Sequence, residues 1–220
     1  MKLRLLVAVG GLALVFAGIA AGDGDKRLSA KTSAFNPGHA LVSDAASWVP
    51  GAGVPTKRAN PGLVLIMSVT VPFPPGASAD TTIEPVKGLR LTSLGFDHMK
   101  GTYCTNGSPR WDIETANGGV YALGCSAGTH STVGMPAGWE RITFGNSNVQ
   151  RLSGPAWPGF GTPSAKLKFL QVLQDEAGAT VLDNLQVNGT IVRRGEENGQ
   201  KRRDQNGQND NGQNDNGKHH

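Results

Sequence analysis

Short apolar runs separated by turn-forming dipeptides fill the middle of the chain and constrain its fold more than any other feature. Three of the separators are Asn-Gly pairs, at Asn106-Gly107, Asn117-Gly118 and Asn188-Gly189. Asn-Gly is the strongest short-range signal for a β-hairpin, because both residues accept the positive φ angles of a tight turn. The chain has 31 Gly and 13 Pro in 220 residues, and no window shows a helical period of apolar residues. This pattern excludes a mainly helical protein.

The apolar runs predict seven or eight strands between residues 61 and 192. Leu63–Val71 is nearly continuous in apolar residues, which predicts a central strand buried on both faces. Gly88–Phe96 alternates leucines with polar residues and predicts a further strand. The other predicted strands are Arg110–Thr115, Val120–Cys125, Trp139–Phe144, Leu167–Gln174, Thr180–Val187 and the short Thr190–Val192. Their number and spacing predict an all-β domain, a two-sheet antiparallel β-sandwich of the jelly-roll kind.

The two ends of the chain differ from this middle in composition. Residues 1–22 contain two cations followed by an apolar stretch and small residues, which predicts a secretory signal peptide and no membrane span after its cleavage. We therefore expect a secreted protein, extracellular or periplasmic. Residues 23–60 have few apolar side chains, which predicts an irregular segment with at most one edge strand. Residues 193–220 lack large apolar side chains and repeat Gln-Asn-Asp-Asn-Gly twice, which predicts a disordered low-complexity tail.

The charge of the predicted domain argues against nucleic acid as a partner. The whole chain has a formal net charge of +4. Residues 22–192 contain 13 Lys and Arg against 12 Asp and Glu, because the other cations lie in the two ends. A net charge of +1 lacks the basic patch that binding to phosphates requires.

Cys104 and Cys125 are the only cysteines and predict one disulfide in an exported chain. A two-residue turn at Asn117-Gly118 would place Arg110 opposite Cys125. A tight turn at Asn106-Gly107 would then put Cys104 on the far side of the same strand, about 10 Å away, which is too far for a disulfide. The segment Tyr103 to Pro109 must therefore loop back over the mouth of the hairpin, which fits a crossing between two sheets.

Three stretches carry a resemblance to known proteins: Gly107–Cys125, Gly138–Phe144 and Lys168–Gly189. They resemble bacterial secreted proteins and the jelly-roll sandwiches of carbohydrate-binding modules and galactose-binding-like domains. The resemblance covers roughly residues 88 to 192. It implies the sandwich fold and brings no catalytic residues with it.

The same resemblance points to Asp183 as a candidate metal ligand. In several such modules an acid of the last strand helps to hold a structural calcium ion, and Asp183 occupies the matching position in VLDNLQV. Calcium takes six to eight oxygen ligands, and no partners for Asp183 can be named within Asn36–Asp44. The alternative is an aspartate that caps or turns the end of the strand.

Aromatic residues in loop-like sequence are the candidate ligand-binding residues. Trp157 and Phe160 lie in GPAWPGFGTP, and Trp48 lies in SWVPGAG. Sugar-binding sites place flat aromatic rings against the apolar face of a pyranose, with a few polar groups for orientation. The alternative is that each ring plugs an open end of the sandwich, as loop aromatics commonly cover cores.

Two enzyme hypotheses fail on context. Gly124–Gly128 matches the G-x-S-x-G pattern around Ser126, with His130 close by, but no helical period follows as a nucleophile elbow requires. Asp112 and Glu114 share one face of a strand at a separation that a glycosidase permits. The alternation places Trp111 inward, however, and so directs these two acids and Arg110 to solvent.

The sequence therefore favours a secreted, non-catalytic β-sandwich of the carbohydrate-binding kind, with a polysaccharide or other glycan as its partner. The alternative is a structural or envelope-associated scaffold whose polar tail is the interaction element. A serine hydrolase is the third hypothesis. No cofactor other than the structural calcium ion is expected.

Overall fold

The computed structural model describes residues 27–35, 45–55, 60–67, 77–105 and 107–195. The predicted signal peptide and the predicted tail from residue 196 onward lie outside the described residues. In the described part of the chain, no helix has the length and apolar character that crossing a membrane requires. The strands that these residues form are β1 (Ser29–Phe35), β2 (Ala46–Val49), β3 (Gly62–Met67), β4 (Ser78–Glu84), β5 (Leu94–Met99), β6 (Arg110–Thr115), β7 (Val120–Gly124), β8 (Thr129–Ser131), β9 (Trp139–Phe144), β10 (Gln150–Ser153), β11 (Leu167–Gln174), β12 (Gly178–Val187), β13 (Thr190–Ile191) and β14 (Arg193–Arg194).

The strands form two sheets, as the sequence predicts. Sheet A has the order β10-β7-β6-β11-β4-β1-β14, and sheet B has the order β2-β3-β12-β5-β9-β8 with β13 paired to β12. Every pairing is antiparallel except that of β1 with β14. The all-β fold class is therefore confirmed.

The core lies between the two sheets and follows the period of two that strands impose on their side chains. On β6, Trp111 and Ile113 are at most 1% exposed, and the residues that alternate with them, Arg110, Asp112 and Glu114, are half-buried. Phe96 of sheet B meets Trp111 of sheet A, with ring centroids 6.3 Å apart. The polar residues that alternate with this core therefore point away from it, onto the outer faces of the sheets.

The hairpin of β6 and β7 is confirmed, but its predicted register is wrong by one residue. Arg110 lies opposite Gly124 rather than Cys125. Thr115 exchanges backbone hydrogen bonds with Gly118 and Gly119, so three residues form the turn. Gly118 has φ of 82°, the left-handed conformation that follows a type I turn in three-residue hairpins. The extra turn residue accounts for the shift in register.

Two predicted strands differ from the structure in more than their terminal residues. The predicted strand Gly88–Phe96 is replaced by β5, which begins at Leu94, while Leu91 is buried in the connection before it. The predicted strand Leu63–Val71 corresponds to β3, and residues 68–71 lie outside the described part. β3 is not central, because only the edge strand β2 lies beyond it, and Val64 and Ile66 are half-buried rather than buried.

Segments at both borders of the predicted domain join the sheets. Residues 23–60, predicted to hold at most one edge strand, contribute β1 to sheet A and β2 to the edge of sheet B. β1 has few apolar residues because only alternate positions, such as Ala30, face the core. The predicted tail begins with Arg193 and Arg194, which pair with β1 as β14. Short strands with one polar face therefore lack the apolar runs from which the other strands can be predicted.

The predicted disulfide joins Cys104 to Cys125, with a Cα to Cα distance of 5.4 Å. The chain passes from β5 in sheet B to β6 in sheet A through residues 100–109. The N–H group of Cys125 donates to the carbonyl oxygen of Pro109, which fixes this connection against the hairpin. The predicted crossing between sheets is thus confirmed.

Candidate functional site

The outer face of sheet A is a polar surface that the strand register defines. We use this name for the side chains of β1, β4, β11, β6 and β7 that point away from the core. They alternate with core residues such as Ile83, Trp111 and Val172. The members of this face include Arg110, Asp112, Phe169, Gln171 and Leu173.

Cross-strand pairing aligns these residues in rows. Gln171 of β11 lies opposite Thr82 of β4 on one side and opposite Asp112 of β6 on the other. Asp112 in turn lies opposite Ala122, which faces Gln150 of the edge strand. Neighbouring strands are about 4.8 Å apart, so this row spans about 19 Å.

Arg110 holds the polar residues of this face in place. Its Nε donates to Oδ1 of Asp112 over 2.8 Å, and its Nη1 donates to Oδ1 of Asp175 over 2.6 Å. The hydroxyl of Ser108 also donates to Oδ1 of Asp175, over 2.7 Å. The guanidinium and both carboxylates are 17% to 31% exposed. These groups are thus fixed by hydrogen bonds yet open to a ligand.

The two carboxylates that share Arg110 differ in acidity. Burial raises the pKa of Asp112, and the opposing attraction of Arg110 does not cancel that effect. Burial also acts to raise the pKa of Asp175, but hydrogen bonds from Arg110 and Ser108 outweigh it and lower the value. Arg110 itself has a raised pKa: burial alone would lower it, and the two acids overcome this. Arg110 therefore stays charged and stabilises Asp175 more than Asp112.

Apolar groups lie among these polar groups. Leu173 and Ala122 are each 4% exposed although they point away from the core between the sheets. Phe169 is half-buried and lies opposite Glu114. Phe35, at the end of β1, is 59% exposed. The outer face thus combines fixed hydrogen-bonding groups with aromatic rings.

The two predicted loop aromatics, Trp157 and Phe160, lie together. Their ring centroids are 5.1 Å apart, and the Trp157 ring stacks edge-on against Tyr121 of sheet A at 4.9 Å. The indole Nε1 of Trp157 and the N–H group of Phe160 both donate to Oδ1 of Asn146, over 3.0 Å and 2.8 Å. Both rings are half-buried against the core. They pack against the core and leave part of each ring to solvent.

Trp48, the third predicted ligand-binding aromatic, belongs to a different part of the fold. It lies on β2 opposite Leu63, is 8% exposed and packs in the core. Its indole nitrogen has no hydrogen-bond partner among the described residues. The ring therefore offers little surface to a ligand.

Asp183, the predicted calcium ligand, is 5% exposed and surrounded by N–H donors. Its Oδ2 accepts from the N–H group of Val54 over 2.7 Å and from Nδ2 of Asn60 over 2.5 Å, and its Oδ1 accepts from the N–H group of Asn184 over 2.6 Å. Burial raises its pKa, although the hydrogen bonds from Val54 and Asn184 act in the opposite direction. Calcium needs oxygen ligands, and the groups bonded to this carboxylate among the described residues are N–H donors. The stretch Asn36–Asp44, in which the sequence offered no partners for Asp183, lies outside the described residues.

The acid that pairs with Asp183 across the sheet is also fully engaged. Asp97 of β5 lies opposite Asp183 and is 1% exposed. Arg141 donates to both of its oxygens, over 2.6 Å and 2.8 Å, and Asn184 Nδ2 donates over 2.7 Å. Asn184 has φ of 43° and stands at an irregularity in the pairing of β12. The network therefore fixes an irregularity in the middle of β12, whereas the alternative that the sequence left open placed Asp183 at the end of a strand.

The G-x-S-x-G segment does not form a nucleophile elbow. Ser126 lies in a 3-10 helix, Cys125–Ala127, that is followed by strand β8 rather than by an α-helix. The Nε2 atom of His130 lies 3.1 Å from the carbonyl oxygen of Cys125, and its Nδ1 lies 3.1 Å from Glu140. The imidazole is thus engaged with groups other than the Ser126 hydroxyl.

The chain matches no protein-family model and no curated protein. Its structure is similar to that of the family 11 carbohydrate-binding module of the cellulosomal cellulase Lic26A-Cel5E of Clostridium thermocellum. The identity is 15% and the TM-score 0.40, over 84% of this chain and 97% of that chain. It is also similar to a family 11 carbohydrate-binding module from Clostridium thermocellum in complex with a β-1,3-1,4-mixed-linked tetrasaccharide, at 14% identity and a TM-score of 0.38, over 81% and 94%.

No local pattern in the sequence marks Phe169, Gln171 and Asp175 as members of a site. The alternation in RWDIET does place Arg110 and Asp112 on the correct face of their strand. The pairing of β6 with β11 brings the missed residues beside them. That pairing joins strands more than fifty residues apart, and no local pattern indicates it.

Proposed function

We propose that this protein is an exported, non-catalytic module that binds a neutral polysaccharide across the outer face of sheet A. The observation that carries the proposal is the set of half-buried polar groups, Arg110, Asp112 and Gln171, held in fixed positions beside Phe169. Sugar hydroxyls need both donors and acceptors. Groups that are already ordered lose little entropy when they bind them.

The charges on this face favour a neutral ligand. Each cation on the face has an acidic partner: Lys31 pairs with Glu84, and Lys168 pairs with Glu114, both over 2.6 Å. Arg110 is shared by two carboxylates. A surface of paired charges has little net attraction for an anionic polymer, and it still presents many hydrogen-bonding atoms.

The way in which the acids are held supports binding without hydrolysis. A glycosidase needs one carboxyl group that donates a proton and a second that attacks or activates water. Asp112 and Asp175 are instead bonded to the same guanidinium. We therefore expect a bound polysaccharide to stay intact, which an assay for new reducing ends measures.

The disulfide supports export, because such bonds persist in oxidising compartments. The predicted loop aromatics supply a second contact surface for the same glycan class. Trp157 and Phe160 keep part of their rings open to solvent while Asn146 holds their orientation. The experiment below separates the two surfaces.

The test is affinity electrophoresis of the oxidised protein against soluble β-glucans, mannans, xylans and pectins, with pull-down on insoluble cellulose and chitin. Gln171→Ala and Phe169→Ala are expected to weaken binding about fivefold or more each, since one lost hydrogen bond or ring contact is worth about 1 kcal/mol. Thr143→Ala, an exposed strand residue of sheet B, is the matched control and should bind as the wild type does.

Three outcomes are distinguishable. Loss of binding in the sheet A variants supports the outer face as the binding site. Loss of binding in Trp157→Ala, with the sheet A variants unchanged, would show that the loop aromatics bind the glycan instead. Circular dichroism and melting temperature must be checked for each variant, because Trp157 packs on the core. A folded protein that binds none of the polysaccharides contradicts the proposal.

A further inference from the structure

Two sulfur atoms and one imidazole meet where the chain passes from sheet B to sheet A. His98 lies on β5, Cys104 lies in the connection that follows, and Cys125 begins the 3-10 helix after β7. The ligand atoms of these three side chains all lie within 4.8 Å of one another. In the oxidised chain the two sulfurs are bonded to each other and cannot coordinate a metal.

Reduction would turn this cluster into a set of ligands suited to zinc. Thiolate and imidazole are the ligands that structural zinc prefers, with Zn–S of about 2.3 Å and Zn–N of about 2.0 Å. The ligand atoms of a tetrahedral site are then about 3.5–3.8 Å apart. Atoms that already lie within 4.8 Å of one another need to shift by only about 1–2 Å to reach that geometry.

His98 is already oriented as metal-binding histidines usually are. Its Nδ1 lies 3.0 Å from Oε1 of Glu140, and a carboxylate on the far ring nitrogen is the common support for a metal-bound imidazole. The nitrogen left for a metal is Nε2, whose neighbour is the hydroxyl of Thr102 at 3.0 Å. The group that supports the imidazole is therefore the carboxyl group of Glu140.

The cluster is enclosed on one side and reachable on the other. Cys125 is 0% exposed and His98 is 2% exposed, so the metal position is shielded from bulk water. Cys104 and Thr102 are only half-buried, and they provide the route by which a reductant and then an ion arrive.

We propose that the reduced protein binds one zinc ion through Cys104 Sγ, Cys125 Sγ and His98 Nε2, with the fourth position taken by water or by the Thr102 hydroxyl. Two molecules of a small thiol reduce the disulfide, which yields two protein thiols and one small-molecule disulfide. Zinc then replaces the two thiol protons, which pass to solvent. The disulfide of the oxidised chain thus joins Cys104 and Cys125, and the metal of the reduced chain joins these two residues and His98.

Cobalt(II) is the probe for this site, with a phosphine as the reductant because thiols themselves bind the metal. The phosphine becomes its oxide, with oxygen and both thiol protons supplied by water. Reduced wild-type protein should bind one cobalt ion, with a sulfur-to-cobalt charge-transfer band and the visible bands of tetrahedral coordination. Zinc should abolish both. The oxidised protein, which carries the same terminal His219 and His220, should show neither band.

Variants separate this site from binding by two thiols alone. His98→Gln should weaken cobalt binding at least tenfold, and Glu140→Gln should weaken it about 10- to 100-fold, as loss of such a supporting carboxylate usually does. His130→Gln is the matched control, because His130 contacts the same carboxylate but lies outside the cluster. It should bind as the wild type does.

Three results would overturn the proposal: no charge-transfer band in the reduced protein, equal affinity in His98→Gln, or a reduced chain that stays unfolded by circular dichroism after cobalt is added. Each variant is first shown to be folded in its oxidised form. Failure here leaves the glycan proposal untouched, since the glycan assays use the oxidised protein.

Discussion

Arg110 Nη1 donates to Oδ1 of Asp175 over 2.6 Å and so joins the first residue of β6 to the residue that follows β11. The same guanidinium bonds to Asp112 through Nε. A side chain held at two points loses little further freedom when it binds a ligand. This contact therefore serves both the sheet and the proposed binding face.

Asp175→Asn should destabilise the protein by about 1 kcal/mol at pH 7, since the pair is partly exposed to solvent. The pKa of Asp175 lies below its ordinary value of 3.8. Burial acts to raise it, but the hydrogen bonds from Arg110 and Ser108 lower it by more than burial raises it. For an acid with a lowered pKa, the stabilisation is present above the unfolded-state value and disappears as pH falls through the folded-state value. Urea unfolding at pH 7 and at a series of pH values below 3.8 measures the difference in unfolding free energy between the wild type and the variant.

Glu84→Gln is the control for this prediction, because Glu84 pairs with Lys31 at a site where both side chains are about half exposed. It should change the unfolding free energy little at either pH. An Asp175→Asn effect that stays equally large as the pH falls through the folded-state pKa of Asp175 would show that the contact is not electrostatic.

Replacing both Cys104 and Cys125 by Ser should lower the unfolding free energy by about 3 kcal/mol, because the disulfide closes a loop with a sequence separation of 21. Urea unfolding in metal-free buffer measures this change. The double variant should keep the wild-type circular dichroism spectrum, since the two sheets share a large core. Loss of the fold would mean that the disulfide, rather than the core, holds the sheets together.

Gly118→Ala should cost about 1 kcal/mol through its backbone alone. Gly118 has φ of +82°, and an added Cβ would meet no atom within 4 Å, so the only penalty is the left-handed conformation. Gly145→Ala is the matched control, because its φ of −107° suits any residue. Thermal unfolding of the two variants should differ, and equal melting temperatures would contradict the three-residue turn.

Calcium should not stabilise this domain through Asp183. The carboxylate already accepts from the N–H groups of Val54 and Asn184, and an ion would have to displace them. We expect equal melting temperatures in calcium and in chelator. A calcium-dependent rise that is absent in Asp183→Asn would restore the sequence-based prediction of a calcium ligand.

The local part of the fold was predictable from sequence. The hairpin of β6 and β7 and strands β9 and β11 follow from apolar alternation and turn residues, which act within about ten residues of chain. The register of the hairpin was not predictable, because Asn117-Gly118 is compatible with both two- and three-residue turns. β1 was missed because it has few apolar residues of its own. It is held as a strand by its pairing with β4 on one side and β14 on the other.

The candidate site was predictable only in fragments. Alternation places Arg110 and Asp112 on an outer face, and loop aromatics such as Trp157 stand out by their surroundings in the sequence. Gln171 and Asp175 carry no local signal, since they become neighbours of Arg110 only when β11 pairs with β6. Trp48 shows the opposite case, because a residue flanked by loop-like sequence is buried in β2.

The most direct test of the central claim is a chemical-shift titration of the isotope-labelled, oxidised protein with the oligosaccharide of whichever polysaccharide it binds. Binding to the outer face of sheet A predicts that the largest changes fall on Arg110, Asp112, Phe169 and Gln171, with Thr143 of sheet B unchanged. Changes that fall on the opposite sheet instead, or an absence of changes with every glycan offered, would contradict the account.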